Sequence, residues 1–319
     1  MKTQFNLTTS DCDLDRYADR ADLCAAMEGF DGVELMWMGE DTRAIVPPER
    51  VVGLHMRCAP YWLDFWQGDL AACRRELGSD EMICATYGGL TPDALVAHYR
   101  GELARAERYG AEYVVFHVAD SSIEETLTGH YRRTNAAVID GACELMNEVF
   151  AGKTDGPALL LENLWESGFT MTQPELTARL LDGIHYPNRG IMLDTGHLMH
   201  TALSLRTQRE ALAYIHRMLD LHGALCRHIR GVHLNQSLTG AYMRRVMRQP
   251  PELPADYAAR SAILFSYVFQ VDLHRPFTCD GVRELIERIA PEYLTYEFIS
   301  NDRSEHERML RRQKSALLR

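Results

Sequence analysis

Lysine is nearly missing from this chain. Of its 34 basic residues only Lys2, Lys153 and Lys314 are lysines, and none follows a strand-like apolar run. Schiff-base aldolases and pyridoxal phosphate enzymes need a lysine in the pocket, so both classes are set aside. Paired cysteines are missing as well. The eight cysteines, at 12, 24, 58, 73, 84, 143, 226 and 279, form no Cys-x-x-Cys pair. That speaks against structural zinc and a disulfide framework, and reads as free buried thiols in a reducing cytoplasm. No apolar leader follows Met1-Lys2-Thr3-Gln4-Phe5 and no run approaches 18 apolar residues, so neither a signal peptide nor a membrane span is expected. Positive charge is outweighed, at a formal net charge of −11. An acidic surface argues against a broad face tracking nucleic-acid phosphates and leaves only a local basic groove open.

What is present is an alternation of short apolar runs and longer helical stretches. The runs are Phe5 to Thr8, Gly32 to Trp37, Val51 to His55, Tyr113 to His117, Ala158 to Glu162, Gly190 to Asp194, Ile229 to His233 and Tyr293 to Phe298. Most are continuously apolar, as in parallel strands buried on both faces. Val138, Ala142, Leu145 and Val149 form one helical stripe; Leu95, Tyr99, Leu103 and Ala106 form another. Thr172 and Glu175 have capping-box spacing. The link from Met38 to Arg50 is too short for a full helix. Eight such units predict a single-domain (β/α)8 TIM barrel over residues 1–319. Two long insertions, Cys58 to Leu90 and Ser237 to Val271, follow strands 3 and 7 and read as lids over the mouth. The first carries Trp62 and Trp66 as candidate substrate contacts. The second carries Arg244, Arg245 and Arg248, which read first as a solvated face and second as a phosphate clamp.

The chemistry sits at the strand ends. Six strands close on His55, His117, Glu162, Asp194, His233 and Glu297. In a barrel these ends converge on one mouth, and a charged group ending a buried strand needs a partner. A shared divalent cation serves carboxylates and imidazoles together; an oxygen and nitrogen set suits zinc, manganese, cobalt or iron. Asp194-Thr195-Gly196-His197 offers His197 one turn further on, with Gly196 permitting a tight bend. Asp272-Leu273-His274, if extended, points both side chains the same way. Glu34 near the end of strand 2 is a candidate contact for a substrate hydroxyl. His200, His222 and His228 read as structural.

This ordered set resembles the xylose isomerase-like TIM-barrel superfamily, which joins sugar isomerases and epimerases to nucleases of the endonuclease IV type. The resemblance runs through strand-end motifs across nearly the whole chain. The epimerase pattern implies one metal on Glu162, Asp194, His233 and Glu297, with Glu162 and Glu297 shuttling protons and His197 touching substrate. The endonuclease IV pattern implies three zincs on nine ligands: His55, His117, Glu162, Asp194, His197, His233, Asp272, His274 and Glu297. His233-Leu234-Asn235-Gln236-Ser237 is similar to a motif of that branch and adds Asn235 as a substrate contact. The chain departs from it where Arg275-Pro276-Phe277-Thr278 replaces a Gly-x-Gly turn, and where no Pro-Arg segment stands near Trp37.

The leading expectation is a metal-dependent isomerase or epimerase of a sugar or polyol, moving a proton next to a carbonyl, with a dehydratase or lyase variant close to it. The second is a multinuclear zinc phosphoesterase, so the expected cofactor is one to three divalent ions according to which reading applies. The third is a ligand-binding barrel without catalysis. Nucleic acid is the less favoured partner, and a homo-oligomer stays open.

Overall fold

The computed structural model describes residues 1–57 and 59–319, so Cys58 lies outside the described residues. Eight parallel strands close into a barrel, each paired with its sequence neighbours and the last with the first. They are β1 (Lys2–Thr8), β2 (Gly32–Met36), β3 (Val51–His55), β4 (Tyr113–His117), β5 (Ala158–Glu162), β6 (Arg189–Asp194), β7 (Ile229–Leu234) and β8 (Tyr293–Tyr296). All eight fall where the apolar runs placed them: β3, β4 and β5 at the same bounds, the other five with one end moved by one to three residues.

The sequence shows why each element forms. Leu95, Tyr99, Leu103 and Ala106 are the buried stripe of the helix Pro92–Tyr109, which starts on a proline and stops at Gly110 in the left-handed region (φ 69°). Val138, Ala142, Leu145 and Val149 are buried on Asn135–Val149. The link after β2 holds only a 3₁₀ turn, Pro48–Arg50. The capping box at Thr172 does not form. The helix begins at Pro174, its cap Gln173 makes no side-chain capping bond, and the Thr172 hydroxyl pairs with Thr170 instead. Proline's fixed φ already sets that start.

The barrel interior is a packed core built from Val52, Tyr113, Val115, Ala158, Leu160, Met192 and Tyr293. Its glycines are a packing requirement. A Cβ on Gly53 would lie 2.1 Å from the Tyr113 ring, and one on Gly231 would lie 2.5 Å from Met192. A larger core fills the space between the barrel and its helices.

The tryptophans of the segment after β3 do not line the mouth, although Ala59 and Pro60 border it beside His117. Trp62 is fully buried, edge-on to Phe116, with its indole N–H donating to the Ala119 carbonyl. Trp66 donates to Glu144 at the surface of a neighbouring helix. Both tryptophans thus pack the segment against the rim, because an indole beside a carbonyl acceptor and apolar helix faces is better satisfied there. The segment after β7 forms two helices, Gly240–Arg248 and Tyr257–Val271, over a small core of Ile123, Leu127, Met243, Leu264, Tyr267 and Val271. The seven described cysteines are free, but only Cys73 and Cys143 are buried; Cys12 and Cys84 are exposed. Among the described residues no helix is long and apolar enough to cross a membrane.

Candidate metal centre

Side chains alternate along a strand, so every second residue of a barrel strand faces inward. Val115 and His117, Leu160 and Glu162, Met192 and Asp194 each place a core residue one layer below a polar one. The same step from Gly53, Gly231 and Thr295 leads to His55, His233 and Glu297. Six strand ends therefore deliver six ligand-type groups to one layer at the mouth. His197 arrives from the short helix Thr195–His200, whose N-cap is Asp194 itself: the Asp194 carboxylate accepts from the His197 backbone N–H at 2.6 Å.

Asp272 and His274 come from the end of the second insertion, in a conformation the alternating pattern misses. Asp272 caps the helix Tyr257–Val271, and His274 is left-handed (φ 46°) rather than extended. Ser237 holds the turn, its hydroxyl accepting from the Leu273 and His274 backbone N–H groups. Gln236 and Arg275 pair beside it. The two side chains still meet, His274 Nε2 lying 2.6 Å from Asp272 Oδ2.

All nine ligand-type residues fall into groups whose donor atoms lie within 4.8 Å of one another. The groups are His55, His117 and Glu162; Glu162, Asp194, His233 and Glu297; and His197, Asp272 and His274, with His55, His233 and Glu297 forming a further overlap. Glu162 joins the first two. Its Oε2 lies 3.2 Å from His55 Nε2 and 3.1 Å from His117 Nε2, while its Oε1 lies 3.1 Å from His233 Nδ1. His197 ties the third group in, with Nε2 at 3.1 Å from Asp272 Oδ2 and Nδ1 at 3.3 Å from Glu162 Oε1.

Two residues expected to touch substrate stand behind this layer. Glu34 is buried and accepts from Tyr113 and Thr295, and its Oε1 lies 2.8 Å from His233 Nε2. It therefore orients His233 so that Nδ1 faces Glu162, the usual place of a carboxylate behind a metal-binding imidazole. Asn235 is fully buried, and its amide donates to Asp194 Oδ2 at 2.7 Å and Glu297 Oε2 at 3.2 Å. Gly196 serves this contact rather than a bend: a Cβ there would sit 1.9 Å from Asn235 Oδ1. Sequence reading missed Asn163, whose side chain brackets the Asp194 backbone at both N–H and C=O. An amide directly after a strand-end Glu was the available signal.

The electrostatics ask for cations. Among the described residues, no lysine or arginine pairs with Glu162, Asp194, Asp272 or Glu297; only imidazoles do. Burial pushes the Glu297 carboxyl up to about 8, and Asp194 and Glu162 push the same way against His233 and His274. Burial also opposes charge on Glu162, but His233 and His117 more than offset it and hold that carboxyl well below its usual range. Burial resists charging His274, yet Asp272 and Glu297 raise it to about 9. Crowded buried carboxylates that must borrow protons or imidazolium ions are the donor set a divalent cation fits. His274 Nδ1 is also buried without a hydrogen bond, 3.4 Å from Glu297 Oε2. His200 and His222 bond to Val271 and Thr177 and take no part.

A family model described as xylose isomerase-like TIM barrel matches residues 21–280. The chain belongs to the xylose isomerase-like TIM barrel family. Solved structures of similar architecture include a D-tagatose 3-epimerase-like protein (14% identity, TM-score 0.51, covering 100% of this chain and 97% of that one). Another is the 3-keto-D-glucoside 4-epimerase of E. coli (14%, 0.50, 100% and 98%). Endonuclease IV from Thermus thermophilus superposes at 0.48 with 16% identity, covering 100% and 99%. At such identities the likeness shows a shared fold alone. No curated protein sequence matches the chain.

Proposed function

We propose that this member of the family is a multinuclear metal-dependent hydrolase of phosphoesters. One observation carries the reading: the two oxygens of Glu162 face different partners, Oε2 toward His55 and His117 and Oε1 toward His233. A carboxylate shared in this way is the bridge a multinuclear site needs, and His197, Asp272 and His274 supply a third neighbouring position. Zinc, manganese, cobalt and iron all suit nitrogen and oxygen donors of this kind. Cations bound by these residues would withdraw electron density from a phosphoryl group and acidify a bound water.

The chain's own residues supply the rest. His117 is the most open of the nine, its side chain 27% exposed. It lines a small cavity of about 90 Å³ with Pro60, Leu164 and Glu166, so a phosphoryl group enters on that side. Glu34 and Asn235 fix the imidazole and carboxylates behind it, so the donors need not reorganise as charge develops. Purified protein should cleave bis(4-nitrophenyl) phosphate, and Glu162→Gln should abolish the cleavage. Full activity in that variant would sink the reading.

A second reading is a one-metal sugar or polyol epimerase. It is favoured by the complete group Glu162, Asp194, His233 and Glu297, with the two glutamates placed to remove and return a proton. Its test is wash-in of solvent deuterium into ketoses without phosphoester cleavage.

A further inference from the structure

The second helix of the insertion after β7, Tyr257–Val271, is apolar on more sides than the fold covers. Leu264, Tyr267 and Val271 face inward and are buried in the insertion's own small core. Phe265 and Phe269 face outward, 58% and 59% exposed, with their rings stacked at 6.4 Å. Successive residues of a helix stand about 100° apart, so Ala258 shares the side of these two rings, and Ala262 and Ser266 lie next to them. No charged residue occurs from Ser261 to Val271. A helix that is apolar all round is normally covered all round, and an exposed apolar patch left on one marks a contact surface.

Beside this ridge runs a groove of about 490 Å³ between the two helices of the insertion. Tyr242, Val246 and Pro251 line it on one side, and Ile263 and Tyr267 on the other. Ala262 and Ser266 line it too, so ridge and groove adjoin. None of the residues lining the groove is charged. Charge appears at its edge, where the Arg245 guanidinium stands 5.0 Å from the Tyr242 ring and Glu252 follows Pro251. An apolar centre inside a rim of both signs is the anatomy of a protein–protein interface. The charge pattern also selects the occupant. Chains of net charge −11 repel one another, so two copies meet most readily where like charge is absent, as it is on this face. A strongly charged partner would find no counter-charge there.

We infer that this face pairs two copies of the chain, with Phe265 and Phe269 of each copy seated in the groove of the other. A two-fold axis running along the helix Tyr257–Val271, between the copies, sets each ridge opposite the other copy's groove. That is the reciprocal contact a symmetric dimer requires. The face is about 22 Å long and about 20 Å across its two helices. It stands at the low end of specific interfaces, so the dimer is weak and reversible, with a dissociation constant on the order of 10 µM.

The test is sedimentation velocity of the full-length protein from about 1 to about 300 µM. The mass should rise with concentration from 36.3 kDa toward twice that value. Phe265→Glu and Phe269→Glu on the ridge, and Ser266→Glu in the groove, should each raise the dissociation constant about tenfold or more. Leu221→Glu alters a comparably exposed residue on the helix Gln208–His222 and should leave it unchanged. All four side chains face solvent, so melts recorded at about 1 µM, where every chain is monomeric, should match that of wild type and separate lost pairing from lost folding. A wild type that stays at 36.3 kDa throughout overturns the inference. If that monomer floats with vesicles of phosphatidylcholine and phosphatidylserine, and the two phenylalanine variants do not, the face belongs to a lipid surface instead. A dimer as tight in the ridge and groove variants as in wild type also overturns it, by placing the contact elsewhere.

Discussion

Glu34 contributes to the site without facing it. It fixes one edge of His233 while Glu162 takes the other, so its loss should be felt as metal affinity. Glu34→Gln is expected to lower that affinity about 10- to 100-fold with the melting temperature of the stripped protein nearly unchanged, read by competition with a chelating dye. The clustering of the strand-end His, Asp and Glu residues was legible because a strand's period of two fixes which residue faces inward. Glu34 stood in the same pattern, but that it points at His233 rather than at substrate depends on a strand five places further along the barrel. The same limit applied to Asp272 and His274: their pairing was legible, their left-handed turn on Ser237 was not. His306, far from the site, gives a separate expectation. It is buried edge-on to Phe5, and burial, with Arg16 adding to it, pushes its imidazole down to about 4. The unfolded imidazole titrates near 6.5, so between those values the unfolded chain binds a proton that the folded one refuses. Its contribution is therefore present above pH 6.5 and lost as pH falls toward 4, by at most about 3 kcal/mol. Urea melts of wild type and His306→Phe should converge or cross as pH falls through that window; parallel curves would contradict it.

Among the elements, the strands are defined as much by their glycines as by their apolar runs. Gly53 leaves room for the Tyr113 ring inside the barrel, and Tyr113 in turn donates to Glu34. Gly53→Ala is expected to destabilise the fold by about 1–3 kcal/mol in chemical denaturation and to weaken metal binding with it. Gly196→Ala acts one layer higher. Displacing Asn235 frees Asp194 and Glu297, so metal affinity should fall while the circular dichroism spectrum stays native. The insertions were the least legible elements. Aromatic residues after β3 suggested a mouth cover, yet Trp62 is held by Phe116 and the Ala119 carbonyl. Which side of a segment meets the barrel is decided by partners distant in sequence. After β7 the ambiguity was one of charge, and the fold divides it: Arg244 and Arg248 line a cavity of about 850 Å³ while Arg245 lies over Tyr242.

At the scale of the molecule, a closed barrel concentrates ionisable groups that would repel one another in the absence of cations. Four carboxylates and five imidazoles share one buried layer in a chain of net charge −11. Cations that bind only the folded state should therefore stabilise it, by about 4 kcal/mol for each site at a thousandfold excess over its dissociation constant. Chelation is expected to lower the melting temperature, and added zinc or manganese to restore it. The measurement that bears most directly on the centre is the metal content of purified, reloaded protein by inductively coupled plasma mass spectrometry, paired with the content of His197→Ala and His117→Ala. Three ions per chain, with one fewer in each variant, is the expected result. A single ion per chain, unchanged in both variants, would contradict a multinuclear centre and leave the four-residue site of an epimerase in its place.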